Sequence, residues 1–186
     1  GGRSWKHLGL ADTHHIPRII VHPQKPDTVY VAAMGHLFTL NAERGVFKTE
    51  DGGHSWKKVF YINDKIGVID LVMDPGQPDI LYAAAYDKVR LPWHYEAGGP
   101  GSGIYKTTDG GLTWKRLSGG LPSGYVGRIG IDVYRKNPKI IYAVVENFRQ
   151  PTEEERLLPA GPAVQLTRCR WARSTGPRTG EKPGPG

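Results

Sequence analysis

One short phrase is written three times along this chain: GGRSW at Gly1–Trp5, TEDGGHSW at Thr49–Trp56 and TTDGGLTW at Thr107–Trp114. An Asp and two glycines make a polar turn, a hydroxyl residue follows, and a Trp closes it. A turn of this kind returning every fifty to sixty residues marks a repeat architecture, in which one supersecondary unit is copied. The first copy lacks its Thr-x-Asp half. The expectation is therefore a unit cut open at the N-terminus, in a piece of a longer protein.

A second repeat lies between these turns: Ile16–Ala33, Ile66–Ala85 and Val126–Val145. Aligning Pro26, Pro78 and Pro138 also aligns Tyr30, Tyr82 and Tyr142, with spacings of 52 and 60 in both series. Each copy reads as an apolar, β-branched run, a Pro-rich turn that cannot continue a ladder, and a second apolar run. That is one hairpin per copy. The runs Gly45–Thr49 and Gly103–Thr107, followed by the Asp-Gly-Gly turn and by Ser55–Val59 and Thr113–Leu117, make a second hairpin.

Four antiparallel strands per unit, A to D, are the content of a β-propeller blade. The expected fold is all-β: a partial β-propeller at 1–146, with two complete four-stranded antiparallel blades at about 16–59 and 66–117. Parts of two flanking blades fall at about 1–8 (strand D) and 126–146 (strands A and B). An open β-solenoid is the main alternative, and its turns would be shorter and more regular in length. Helix competes poorly, because Gly and Pro interrupt every segment and the apolar runs are short.

In each turn Asp51 or Asp109 can accept hydrogen bonds from backbone N–H groups, while Gly53 and Gly111 permit positive φ. Trp56 and Trp114 then fold across the hairpin and place a large ring between neighbouring blades. This is a structural device; identical turns on successive blades cannot all face one site. TEDGGHSW and TTDGGLTW resemble the Asp-box, or BNR repeat, Ser/Thr-x-Asp-x-Gly-x-x-Trp, found in bacterial sialidases, xyloglucan-hydrolysing enzymes, a photosystem assembly factor and sortilin. With HHIPRIIVHPQKPDTVYVAAMGHL, ERGVFKTEDGG and GPGSGIYKTTDGG, the chain is most similar to the large sortilin N-terminal-domain-like propellers of bacteria, often labelled glycosyl hydrolases. The resemblance covers roughly residues 1–146. It implies a blade and an extracellular or periplasmic setting, and it says little about activity.

Strand parity puts the A–B and C–D turns on one face and the B–C and D–A loops on the other. The second face carries the long segments Met34–Arg44 and Tyr86–Ser102, which is where function is sought. Candidate ligand-binding residues there are His15, His36, Glu43, Arg44, Arg90, Trp93 and His94, with Arg18 and Arg128 just inside strand A. The adjacent His14 and His15 point opposite ways on an extended chain, so a hydrogen-bonded role is preferred over a metal site, and no metal or cofactor is expected. Trp93, in LPWHYE, either stacks on a ligand or caps its blade. Glycoside hydrolysis would need two facing carboxylates, for which Asp12, Glu43, Asp64, Asp87 and Glu96 supply candidates without a signature. A sialidase site would need an arginine cluster and a Tyr, and no further sialidase motif is found.

The formal net charge of +7 includes six Arg and one Lys against four Glu in the last forty residues, so the remainder is only mildly basic and reads as a solvated surface rather than a nucleic-acid groove. A single Cys169 excludes an internal disulfide framework. No apolar run in the sequence is long enough to span a bilayer. Residues 147–186, dense in Pro, Gly and Arg, are expected to be a disordered or non-native tail. The leading functional expectation is a binding scaffold for a peptide, protein or polysaccharide. The rival is part of a carbohydrate-active glycoside hydrolase whose site is completed by further blades.

Overall fold

The computed structural model describes residues 2–122, 124–148 and 165–170. Strands β1 (Arg18–Val21), β2 (Val29–Met34), β3 (Arg44–Thr49) and β4 (Lys57–Phe60) pair antiparallel in that order as the first blade. The second blade begins with β5 (Ile66–Met73) and β6 (Leu81–Asp87). A small hairpin, β7 (Val89–Leu91) and β8 (His94–Glu96), is then inserted before β9 (Gly103–Thr107) and β10 (Lys115–Arg116) complete the sheet. A third sheet holds β11 (Val126–Val133), β12 (Ile140–Asn147) and β13 (Gln165–Arg170).

The A–B turns show the repeat at the level of individual hydrogen bonds. His22 N donates to Thr28 O at 2.9 Å, Asp74 N to Ile80 O at 2.9 Å and Tyr134 N to Ile140 O at 3.0 Å. These positions keep the spacings of 52 and 60 read from the prolines and tyrosines. Alternation along the strands then sorts side chains between two interfaces. Every residue of β6 is buried. Leu81, Ala83 and Ala85 face the first blade with Tyr30, Val46 and Phe60, while Tyr82 and Ala84 face the third sheet with Ile129, Ile131 and Ile141. The alanines on β2 and β6 leave room for the stacked sheets, and burial of the larger aliphatic side chains supplies about 1.5–3 kcal/mol each.

The Asp-Gly-Gly turns are closed twice in the same way. Thr49 Oγ1 donates to Asp51 Oδ1 at 2.7 Å and accepts Gly53 N at 2.9 Å; Ser55 donates its N–H to Asp51 Oδ1 at 2.9 Å and its hydroxyl to Oδ2 at 2.6 Å. Thr107, Asp109, Gly111 and Thr113 reproduce this set at 2.6, 3.0, 2.9 and 2.5 Å. Hydroxyl and amide donors stabilise the ionised carboxylate, so Asp109 is held down at about 2 and Asp51 lies below its ordinary range for the same reason. Gly53 and Gly111 adopt φ of +91° and +95°, which side-chain-bearing residues avoid.

Each turn is also gripped by the preceding unit. The Tyr30 hydroxyl, buried on β2, donates to Gly110 O of the second blade's turn at 3.0 Å. Val59 stands over Gly111 just as Leu8 stands over Gly53. The half-buried Trp114 packs on Phe60 of the first blade at 5.0 Å between ring centroids, and Trp56 Nε1 donates to Leu8 O at 2.6 Å.

Two segments at the ends of the described chain depart from the regular blade pattern. The segment at about 1–8 forms no strand among its described residues, and Trp5 is 92% exposed. It has no ladder partner there, although Leu8 keeps the position of a strand-D residue. In the tail, Gln165–Arg170 pairs antiparallel with β12, from Val145↔Gln165 to Ile140↔Arg170, because β12 otherwise presents an unpaired backbone edge. The rest of the tail expectation, at 149–164 and 171–186, lies outside the described residues.

Candidate functional site

The segment leading into β1, the β2–β3 loop and the β6–β7 junction meet around a cavity of about 430 Å³. His14, His15, His36, Met34, Arg44, Ile69 and Lys88 are among its walls. His14 and His15 both line it; His15 pairs with Gly35 in an isolated bridge and contacts Gly35 O through Nδ1 at 3.0 Å. The His14 ring stacks on His36 at 4.0 Å, and His36 Nδ1 lies 2.8 Å from Thr39 Oγ1. No metal-binding group of three His, Cys, Asp or Glu residues forms among the described residues.

Arg44, at the start of β3, is 3% exposed. Its guanidinium donates to Lys65 O at 3.1 Å, His36 O at 3.0 Å and Thr39 O at 3.1 Å, while Nε is buried without a hydrogen-bond partner. Burial lowers the Arg44 pKa, with Asp64 partly opposing. The Lys88 ammonium is also pushed down, first by burial and then by the charges of Arg90, Arg44 and Arg128, against an opposing contribution from Tyr95.

The other candidates lie apart from the cavity or are engaged within the protein. Arg18 binds Asp70, Nε to Oδ1 at 2.9 Å, and Asp70 Oδ2 accepts Ile131 N at 3.0 Å, so this carboxylate links the innermost strands of all three sheets. Glu43 pairs with Lys58 at 3.7 Å. Lys65 bridges the buried Asp87 at 3.0 Å and Glu96 at 2.7 Å, and His94 Nε2 reaches Glu96 at 3.0 Å. Lys65 and His94 together hold Glu96 below the usual carboxylate range. The Tyr61 hydroxyl donates to Asp64.

The β7–β8 hairpin carries the exposed aromatics. Leu91 pairs with His94, leaving Pro92 and Trp93 as a two-residue tip, where Trp93 is 81% exposed and therefore does not cap the blade. Tyr95 is 57% exposed and receives the Arg90 guanidinium over its ring at 5.9 Å. Phe38, 51% exposed on the first blade's loop, borders the same groove as Arg90 and Leu91. Arg128 lies exposed on β11, its backbone N–H donating to Glu146 Oε2 at 3.0 Å.

Among solved structures, the GH74 xyloglucanase from Xanthomonas campestris superposes with a TM-score of 0.54 at 18% identity, over 76% of this chain and 20% of that enzyme. This chain is built as part of a β-propeller. A GH74 enzyme from Niastella koreensis (19% identity, 70% of this chain and 19% of that one, TM-score 0.40) and an ancestral GH74 enzyme (17%, 76% and 23%, 0.39) are also similar. The propeller spans about a fifth of the length of these enzymes. No family model matches the sequence, and no curated protein does.

Lys88 was not singled out by sequence reading. Its one signal is position: it is the first residue after a fully buried strand, at the root of an inserted hairpin, where a long polar side chain lies over the core's edge.

Proposed function

We propose that this Asp-box propeller, of the sortilin-like type, is a binding module that recognises a polysaccharide through its long-loop face. The observation that carries this reading is the β7–β8 hairpin, which holds Trp93 and Tyr95 out into solvent and whose Arg90 and Leu91 line a groove with Phe38 of the neighbouring blade. Flat aromatic faces offer apolar area to the C–H faces of sugar rings, and a rigid hairpin presents them with little ordering cost. Three carboxylates on the same face are already engaged by cations of the protein. Glu43, Asp87 and Glu96 are ion-paired, an arrangement suited to holding loops rather than to exchanging protons.

A hydrolytic reading, as part of a glycoside hydrolase, draws on the fold shared with a xyloglucanase. It requires a free pair of carboxylates about 5–9.5 Å apart, supplied partly by blades beyond this chain. The test is calorimetric titration with xyloglucan and polygalacturonate, alongside a peptide array. Trp93→Ala is expected to weaken polysaccharide binding about tenfold, with the melting temperature unchanged. Unaltered binding by that variant, or selective capture of peptides, would overturn the reading. Turnover abolished by Glu96→Gln would favour the hydrolase.

A further inference from the structure

Two basic groups at the cavity differ in one respect from the paired cations Arg18, Lys58 and Lys65. Arg18, Lys58 and Lys65 each have a carboxylate within ion-pair distance. Arg44 and Lys88 have none among the described residues. Arg44 is held by three carbonyl oxygens, whose dipoles moderate a buried charge without neutralising it. The acids nearby are turned elsewhere: Asp64 accepts from Tyr61, and Asp87, although adjacent to Lys88 in sequence, gives its carboxylate to Lys65. Arg90 and Arg128 add like charge around Lys88.

We infer that the cavity walled by Arg44, Lys88, His14 and His36 receives an anionic substituent of the bound saccharide, a carboxylate or a sulfate. The inference rests on the polysaccharide reading for its ligand class, and on the unneutralised cations for its charge. An entering anion would meet the Lys88 ammonium directly and the Arg44 charge through the cavity wall, in surroundings that screen less than bulk water does. The imidazole walls offer further ring nitrogens. Arg44 and Lys88 also border the groove of Phe38, Arg90 and Leu91, so one chain can stack on the aromatics and place its charged group inward. Charge-assisted hydrogen bonds of this kind discriminate strongly between an acidic sugar and its neutral counterpart.

The experiment uses the full chain. Binding of polygalacturonate, dextran sulfate and neutral xyloglucan is measured for the wild type, for Lys88→Gln, and for Lys25→Gln, which removes the same charge from an A–B turn on the other face. Expected is a preference of about tenfold for one charged polymer over xyloglucan, lost in Lys88→Gln, retained in Lys25→Gln, with xyloglucan affinity the same in all three. The two charged polymers tell carboxylate from sulfate. Equal losses in the two variants, or equal affinity for charged and neutral polymers, would overturn the proposal. Free galacturonate and inorganic sulfate are tested in parallel by thermal shift, independently of any polymer. Stabilisation of the wild type but not of Lys88→Gln upholds the anion site even if no polymer binds and the polysaccharide reading falls; stabilisation of neither, with no polymer bound, overturns both.

Discussion

Replacing Tyr30 by Phe removes one hydroxyl from the contact between the first two blades and leaves the ring in place. Tyr30 is 1% exposed, and its hydroxyl donates to Gly110 O across 3.0 Å, joining β2 of one blade to the turn of the next. The deletion leaves that carbonyl short of a partner in a site closed to water. A cost of about 1–2 kcal/mol follows, or a melting temperature lower by about 2–8 °C for a domain of this size. Tyr142 provides an internal control, since it occupies the corresponding position of the third copy but is 44% exposed. Tyr142→Phe should therefore change stability by less than about 0.5 kcal/mol. The assay is thermal unfolding followed by near-ultraviolet circular dichroism, with both variants and the wild type at equal concentration. Equal shifts for the two variants, or none for Tyr30→Phe, would refute the idea that the turn is held from the preceding blade.

The turn chemistry makes two further predictions. Asp109 has its pKa lowered to about 2, so its contribution to stability is fully present above the unfolded carboxylate's value near 4 and disappears as pH falls through about 2. An acid titration of folding should show Asp109→Asn less stable than wild type at neutral pH, with the difference vanishing at the acid end; a constant difference would contradict this. Gly53→Ala forces a side chain at φ +91° and 3.1 Å from Leu8 Cβ, and should cost about 1–2 kcal/mol in denaturant unfolding, whereas Gly130→Ala, with nothing within 4 Å and ordinary φ, should cost less than about 1 kcal/mol.

The parts of this molecule legible in its residues are those governed by local pattern. Proline spacing set the hairpin register, the continuous apolar runs marked the strands of each hairpin, and the Asp-Gly-Gly phrase described its own hydrogen bonds. Contacts made across long stretches of chain were not legible in this way. Nothing local to Arg18 announces Asp70, since that pair depends on how one blade is rotated against the next, and nothing near Lys65 announces its double engagement with Asp87 and Glu96, which the β5–β6 ladder and the inserted hairpin bring together. The β7–β8 hairpin was read as loop because each arm is only three residues long and Pro92 breaks the run. Adjacent histidines were expected to diverge, yet both line one cavity, His15 on the backbone of Gly35 and His14 stacked on His36. A strand at 165–170 was hidden because its partner, the free edge of β12, is a tertiary fact.

The grip on each turn runs in one direction only. Tyr30 and Val59 reach forward from their own sheet to hold Gly110 and Gly111 of the sheet that follows, and Leu8 reaches forward to Gly53. Each module is thus a socket on one side and a plug on the other. Duplicating the stretch between the end of one β4-type strand and the end of the next copies one socket and one plug together, so the array can lengthen by whole modules without leaving either kind of fitting unmatched inside it. Growth of this sort leaves the loops of the opposite face free to diverge in length and chemistry, as the inserted hairpin of the second module has done.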